Sequence, residues 1–276
     1  MISIESLQAG LVIPIDKPGQ WTSFQAVNKV KATIRRLYHI KNIKIGHAGT
    51  LDPLATGLLL ICIGKATKRI EQLQSGEKEY TGTLVLGATT PCYDLERAVD
   101  HYYPTAHITP DAIEAARQSF VGDIEQVPPM YSAVKVAGQR AYVYARNDDP
   151  MAVIAPKTVH IECFELKKND SFDSTVFIDH SDKMVSNLHL YNKPQGVVPE
   201  WLPKYDFRVV CGSGTYVRSL VRDLGQALGS GAFLAALRRE RIGTCHVKDA
   251  VRLEDIELFL KESCVENGSH VRQQSV

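Results

Sequence analysis

The stretch Gly46-His47-Ala48-Gly49-Thr50-Leu51-Asp52-Pro53-Leu54-Ala55-Thr56-Gly57 holds one carboxylate, one imidazole and three glycines. Pro53 disfavours helical backbone at Asp52 and sets that carboxylate on an extended loop. Gly46, Gly49 and Gly57 allow turns and the close approach of another molecule. A carboxylate so placed is either a turn-former or a reactive group, and the stretch alone leaves both readings open. His47 is no more decisive, since a lone histidine is more often a hydrogen-bonded structural residue. Two distant positions add chemistry. Arg218 falls at the start of a helix-like run, where the helix dipole disfavours a cation. It also lies just outside the apolar stripe of Val217, Leu220, Val221, Leu224 and Leu228. A cation held there against local preference suits pairing with a carboxylate, which lowers the pKa of that carboxylate and keeps it ionised. Tyr80, in the run Glu77-Lys78-Glu79-Tyr80-Thr81-Gly82, is either a core residue or a stacking platform. No second acid stands at a spacing matched to Asp52, so a glycosidase-like acid/base pair is not supported.

Local pattern supplies the elements that must position these groups. Residues 11–15 read as a strand ended by the Asp16-Lys17-Pro18-Gly19 turn. Thr22 and Gln25 offer a capping box. Phe24, Val27, Val30, Ile34 and Leu37 follow at helical spacing, with Lys29, Arg35 and Arg36 outside that stripe. Residues 79–87 read as a strand, and 110–121 as a helix with proline in its first turn. Residues 128–136 read as extended, 159–166 and 206–211 as alternating strands, and 216–229 as a helix with Gly229 as its cap. The polar stretch 168–205 reads as an insertion or long surface loop. One more helix-like segment covers 249–262, and the remaining residues read as frayed. Strands mixed with helices, without regular β-α-β alternation, predict an α+β fold.

Bulk properties narrow the partners. The chain of 276 residues suits one large domain with insertions. Its longest apolar run, Leu58 to Ile63, is far below the roughly 20 residues that span a bilayer. The beginning of the chain lacks the basic cluster of a signal peptide. Six scattered cysteines, with no C-x-x-C and no histidine at ligand spacing, predict reduced thiols, a cytoplasmic setting and no structural zinc. The formal net charge of +1 is unevenly spread: residues 1–70 carry ten Lys/Arg against three carboxylates, a net of +7, and the remainder −6. A basic lobe of this kind predicts a polyanionic partner.

The signature from Gly46 to Gly57 resembles that of the bacterial TruB-type tRNA pseudouridine synthases, whose usual form is GHTG(T/A)LDPLATG. Five further motifs of that family occur in order. They are Asp16-Lys17-Pro18, Lys78-Glu79-Tyr80, Pro128 to Lys135, Ser213 to Ser219, and Leu237-Arg238-Arg239. The resemblance covers about residues 11–245, excluding 168–205. It implies the pseudouridine synthase fold, with a mixed, mainly antiparallel central sheet flanked by helices and loops. It implies isomerisation of the T-loop uridine of tRNA, conventionally position 55, to pseudouridine, without cofactor or metal. Asp52 falls on the catalytic aspartate, Tyr80 on the tyrosine packed against the target uracil, and Arg218 on the arginine paired with the aspartate. Tyr216 falls on a second active-site tyrosine, His47 on the histidine that inserts into the tRNA loop, and Leu237 on a leucine of the uracil pocket. Lys17, of the Asp16-Lys17-Pro18 element, is expected at the substrate.

The sequence departs from the family pattern at Ala48, where threonine is usual, and across Ala88 to Arg97, where only Asp94 of the acids at matched positions survives. The organisation expected is a catalytic domain over 1–248, carrying the 168–205 insertion, and a short C-terminal helix and tail over 249–276 without a full PUA-type domain. The expected partner is the T arm of tRNA, with no membrane, no obligatory protein partner and a monomeric state. The alternative reading is a non-catalytic tRNA-binding folding chaperone on the same scaffold.

Overall fold

The computed structural model describes residues 2–147, 154–172 and 196–262. Most of the expected insertion and the residues expected to fray at the C-terminus lie outside the described residues. The chain divides into two compact units, Met1–Gly76 with Glu240–Val276, and Glu77–Arg239.

The first unit opens with helix α1 (Ile4–Ala9), strand β1 (Leu11–Lys17), helix α2 (Ser23–Tyr38), strands β2 (Ile45–Ala48) and β3 (Thr56–Ile63), and helix α3 (Ile70–Ser75). β3 pairs antiparallel with both β1 and β2. Its alternate residues serve two cores. Leu59, Ile61 and Ile63 cluster with Ala26, Val27, Val30 and Ile34 of α2. Leu58, Leu60 and Cys62 cluster with Ala48, Ala66 and Ile242. A strand covered on both faces explains the unbroken apolar run in the sequence. Each fully buried Leu or Ile contributes about 1.5–3 kcal/mol relative to exposure.

The capping box before α2 is complete, the Gln25 amide donating to Thr22 Oγ1 at 3.1 Å and the Thr22 amide to Gln25 Oε1 at 2.7 Å. The apolar stripe differs from expectation at one position. Ser23, Ala26, Val27, Val30, Thr33 and Ile34 are buried, whereas Phe24 is 69% exposed. One residue is about 100° of helix, so Ser23 takes the inward place and turns its neighbour out.

The second unit contains β4 (Lys78–Leu86), β5 (Ala88–Thr89), β6 (His101–Tyr102), helix α4 (Pro110–Gln118), β7 (Gly122–Gln126), β8 (Lys135–Val136), β9 (Gln139–Arg140), helix α5 (Ala141–Arg146), β10 (Lys157–Lys168), β11 (Lys204–Cys211), helix α6 (Val217–Ala227) and β12 (Ala232–Ile242), whose last residues belong to the first unit. Its sheet order is β12-β4-β11-β10-β7, with β4–β11, β11–β10 and β10–β7 antiparallel. β5–β6 and β8–β9 form separate two-stranded ribbons, so the expected extended run at 128–136 is regular strand only at its end.

β12 was not anticipated. Ala232-Phe233-Leu234-Ala235-Ala236-Leu237-Arg238-Arg239-Glu240 is rich in helix formers, and its burial and pairing within the sheet override that preference.

Back in the first unit, β13 (Cys245–His246) folds onto the end of β12, β14 (Val251–Arg252) pairs parallel with β1, and helix α7 (Ile256–Glu262) follows. The single helix expected over 249–262 is therefore a short strand and a shorter helix. Val251 and Arg252 complete the edge of β1, while Ile256 and Leu260 join the α2 core. One parallel pairing among antiparallel ones makes the first unit's sheet mixed, and helices pack on it: the α+β class expected. Among the described residues no helix is long and apolar enough to cross a membrane.

Candidate active site

Asp52 lies half-buried on the loop between β2 and β3. Gly49 at φ 94° and Gly57 at φ 102° bound that loop, in backbone that side-chain-bearing residues rarely adopt. Gly46 has another purpose, since a Cβ there would press on Ile70 Cδ1 at 2.9 Å. The residues on either side of Asp52 are each held from beneath. Ser23 Oγ accepts from the Leu51 amide at 2.8 Å and donates to the Leu51 carbonyl at 3.0 Å. The Lys17 ammonium donates to the carbonyls of Pro53 at 3.2 Å, Trp21 at 2.7 Å and Pro18 at 2.8 Å. Both anchoring side chains are buried, Lys17 completely. The expectation that Lys17 meets the substrate is thereby corrected. Its side chain has no exposed surface, because three carbonyls surround the ammonium, and it underpins the loop. His47 sits on β2 opposite Ile61, two residues before Gly49, and is partly exposed.

The second unit carries the other expected residues. Arg218 is the second residue of α6 and is 5% exposed. Its guanidinium donates to the carbonyls of Cys92 at 3.1 Å and Tyr131 at 2.9 Å, and its Nε lies 3.6 Å from Asp94 Oδ2. Asp94 is held in turn. Its Oδ1 accepts from the Glu96 amide and from Cys92 Sγ, both at 2.9 Å. Burial and the adjacent Asp94 push the Cys92 thiol up to about 12, so it remains a donor. The altered segment 88–97 thus closes around its surviving acid, with Thr90 Oγ1 donating to the Asp94 carbonyl at 2.7 Å. Tyr93 adopts φ 60° at the turn.

Tyr80, on β4 opposite Val209, is 8% exposed. Tyr216 caps α6, and the wholly buried Gln126 clamps its backbone. The Tyr216 amide donates to Gln126 Oε1 at 2.8 Å, and Gln126 Nε2 donates to the Tyr216 carbonyl at 3.2 Å. The Lys157 ammonium stands 4.8 Å from the centre of the Tyr216 ring. Leu237 lies on β12, partly exposed.

Sequence reasoning missed Ser23 as an anchor, read Asp94 only as a surviving motif residue, and did not see Gln126. None carries a local signal, because each acts on backbone or charge far along the chain.

Within the first unit Asp52 is a carboxylate on an anchored, glycine-bounded loop, and within the second Arg218 is a buried cation with its own acid; each is a charge held in place without reorganising. The model of the TruB family pseudouridylate synthase N-terminal domain matches residues 35–185, and that of the tRNA pseudouridylate synthase B C-terminal domain matches 218–272. The chain is 44% identical over 261 residues to tRNA pseudouridine synthase B of Phocaeicola vulgatus, covering 95% of this chain and 97% of the relative. It is 45% identical over 256 residues to tRNA pseudouridine synthase B of Flavobacterium johnsoniae, covering 92% and 96%. Against a chain of the solved Cbf5-Nop10-Gar1 complex the TM-score is 0.58 with 26% identity, covering 95% of this chain and 58% of that one. The fold is of the pseudouridine synthase class. The chain belongs to the TruB family.

Proposed function

We infer that this chain isomerises the T-loop uridine of tRNA, position 55, to pseudouridine. The observation that carries this reading is the two-sided anchoring of Asp52 by Ser23 and Lys17, within a signature shared with the family. A turn-forming aspartate has no need of buried anchors on both neighbours, whereas a catalytic carboxylate must keep its place as substrate enters.

The reaction breaks the N1–C1′ bond and forms a C5–C1′ bond. The proton lost from C5 is balanced by one gained at N1, so neither oxidant nor cofactor enters. The target base must leave its stack, at a cost of a few kcal/mol. His47, on its short strand before the glycine hinge, is the planar group suited to fill the gap left in the RNA. Tyr80 restacks the extruded base, a contact of about 1–3 kcal/mol, and is the relay for the C5 proton. Asp52 acts ionised, at C1′, C6 or the ribose 2′ position. To Arg218, which the family resemblance pairs with this aspartate, we assign the role of keeping it so. Tyr216 and Leu237 border the uracil, and apolar contact keeps the detached base from escaping. The cations of residues 29–69 bind phosphates and orient the RNA without reading sequence.

The test is conversion by the purified chain of a T-arm stem-loop transcript, followed by mapping of modified positions. One pseudouridine at the T-loop site is expected. Tight binding with no conversion would transfer the assignment to a tRNA-folding chaperone.

A further inference from the structure

Phe24 is 69% exposed, although its ring is large and apolar. At 3.6 residues per turn, Phe24, Asn28, Lys31 and Arg35 fall within about 60° of one another, on a ridge about 16 Å long. Asn28 and Arg35 are exposed and Lys31 partly so. None of these four side chains makes a hydrogen bond or ion pair among the described residues. By contrast Arg36, on another side of α2, is engaged by Glu257 at 2.5 Å. The aromatic end of the ridge is fixed beside the reacting loop. Ser23, the residue before Phe24, exchanges two hydrogen bonds with Leu51, the residue before Asp52.

We propose that this face of α2 is an RNA contact, in which Phe24 stacks on an unpaired nucleobase next to the extruded uridine while Lys31 and Arg35 meet phosphates of the strand leading away. The proposal rests on the function inferred above and adds to it a stacking residue and a direction for the bound strand. Charge complementarity selects the occupant. A lone phenyl ring followed along the helix by an amide and two cations matches a base followed by its phosphates, because every base offers a face to stack on. A protein partner would call for a contiguous apolar patch, and the other side chains of the ridge are polar.

Four proteins decide the matter: the wild type, Phe24→Ala, Phe24→Trp, and the double variant Lys31→Gln with Arg35→Gln. Each is titrated with a T-arm stem-loop RNA by filter binding at several salt concentrations, and each is assayed for single-turnover conversion. Phe24→Ala is expected to weaken binding about 5- to 100-fold, with the salt dependence unchanged. Phe24→Trp keeps the affinity within about threefold of wild type, because the stacking face is retained. The double variant lowers the slope of log affinity against log salt by about 1.4, the loss of two phosphate contacts. A wild type that binds and converts, beside a Phe24→Ala protein with affinity within twofold of it, overturns this inference alone. Equal weakening by Phe24→Ala and Phe24→Trp also overturns it, since the ring would then shape the loop. A wild type that neither binds nor converts this RNA overturns the inferred function as well.

Discussion

The loop that carries Asp52 is held through the backbone of Leu51 and Pro53, and this places the most sensitive positions one layer behind the carboxylate. Ser23→Ala would leave the amide and carbonyl of Leu51 buried without a partner, a loss of about 1–3 kcal/mol. The predicted result is that lower stability in urea unfolding, with reduced conversion at saturating RNA because the loop carrying Asp52 is no longer fixed. Asp94→Asn removes the acid 3.6 Å from Arg218 and leaves a 5% exposed guanidinium without that charge. Removing one partner of a buried pair costs about 3–5 kcal/mol. A lower urea midpoint at unchanged slope is the predicted reading, together with loss of conversion. At this scale the signature residues were legible because Asp52, His47 and the glycines are neighbours in sequence. The Ser23–Leu51 bonds span 28 residues, and Arg218 meets Asp94 only through the fold, so neither leaves a mark in local pattern. The place of Lys17 at the substrate came from the resemblance alone, and the carbonyls of Pro18, Trp21 and Pro53 around its ammonium show only in the fold.

Helices and strands whose period matched their burial were readable, and those whose burial contradicted their composition were not. The capping box marked the start of α2, and the unbroken apolar run marked β3. β12 is built from helix-forming residues, and only its place beside β4 makes it a strand. Gly82 on β4 shows how close that approach is, because a Cβ there would fall on the Ala236 carbonyl oxygen and against the Phe207 ring. Gly82→Ala is therefore predicted to destabilise the second unit by about 1–3 kcal/mol, the usual cost of forced overpacking, read as a lower thermal midpoint. On α2 the opposite holds. Arg36 and Glu257 form an ion pair at 2.5 Å with the arginine side chain 60% exposed. Such exposed pairs add little to stability, because solvent screens them. Arg36→Ala should leave the midpoint nearly unchanged.

Charge asymmetry was visible in the sequence as a basic first 70 residues, and it governs how the whole molecule meets RNA. With about four phosphate contacts, affinity for T-arm RNA should fall roughly 50-fold between 50 and 200 mM salt. A flat response would contradict the basic-lobe assignment. Stability at high pH depends on groups no motif revealed. Burial pushes the Cys62 and Cys211 thiols up to about 11, and burial with Asp94 pushes Cys92 up to about 12. Burial, with the Arg239 guanidinium nearby, brings the Lys78 ammonium down to about 8. Near pH 10 the unfolded chain has released three thiol protons that the folded chain keeps, and it keeps one lysine proton that the folded chain has released. The unfolded state then binds fewer protons, so stability falls as pH rises through this range, by a few kcal/mol per pH unit. Urea midpoints under reducing conditions at pH 8.5 and pH 10 will show that fall; equal midpoints would refute it. The whole reaction turns on Asp52, and the most direct measurement is tritium release from C5-labelled uridine in tRNA by the Asp52→Asn protein. The prediction is a loss of about a thousandfold or more in rate, with tRNA affinity within a few fold of wild type. Release at the wild-type rate would remove Asp52 from the chemistry.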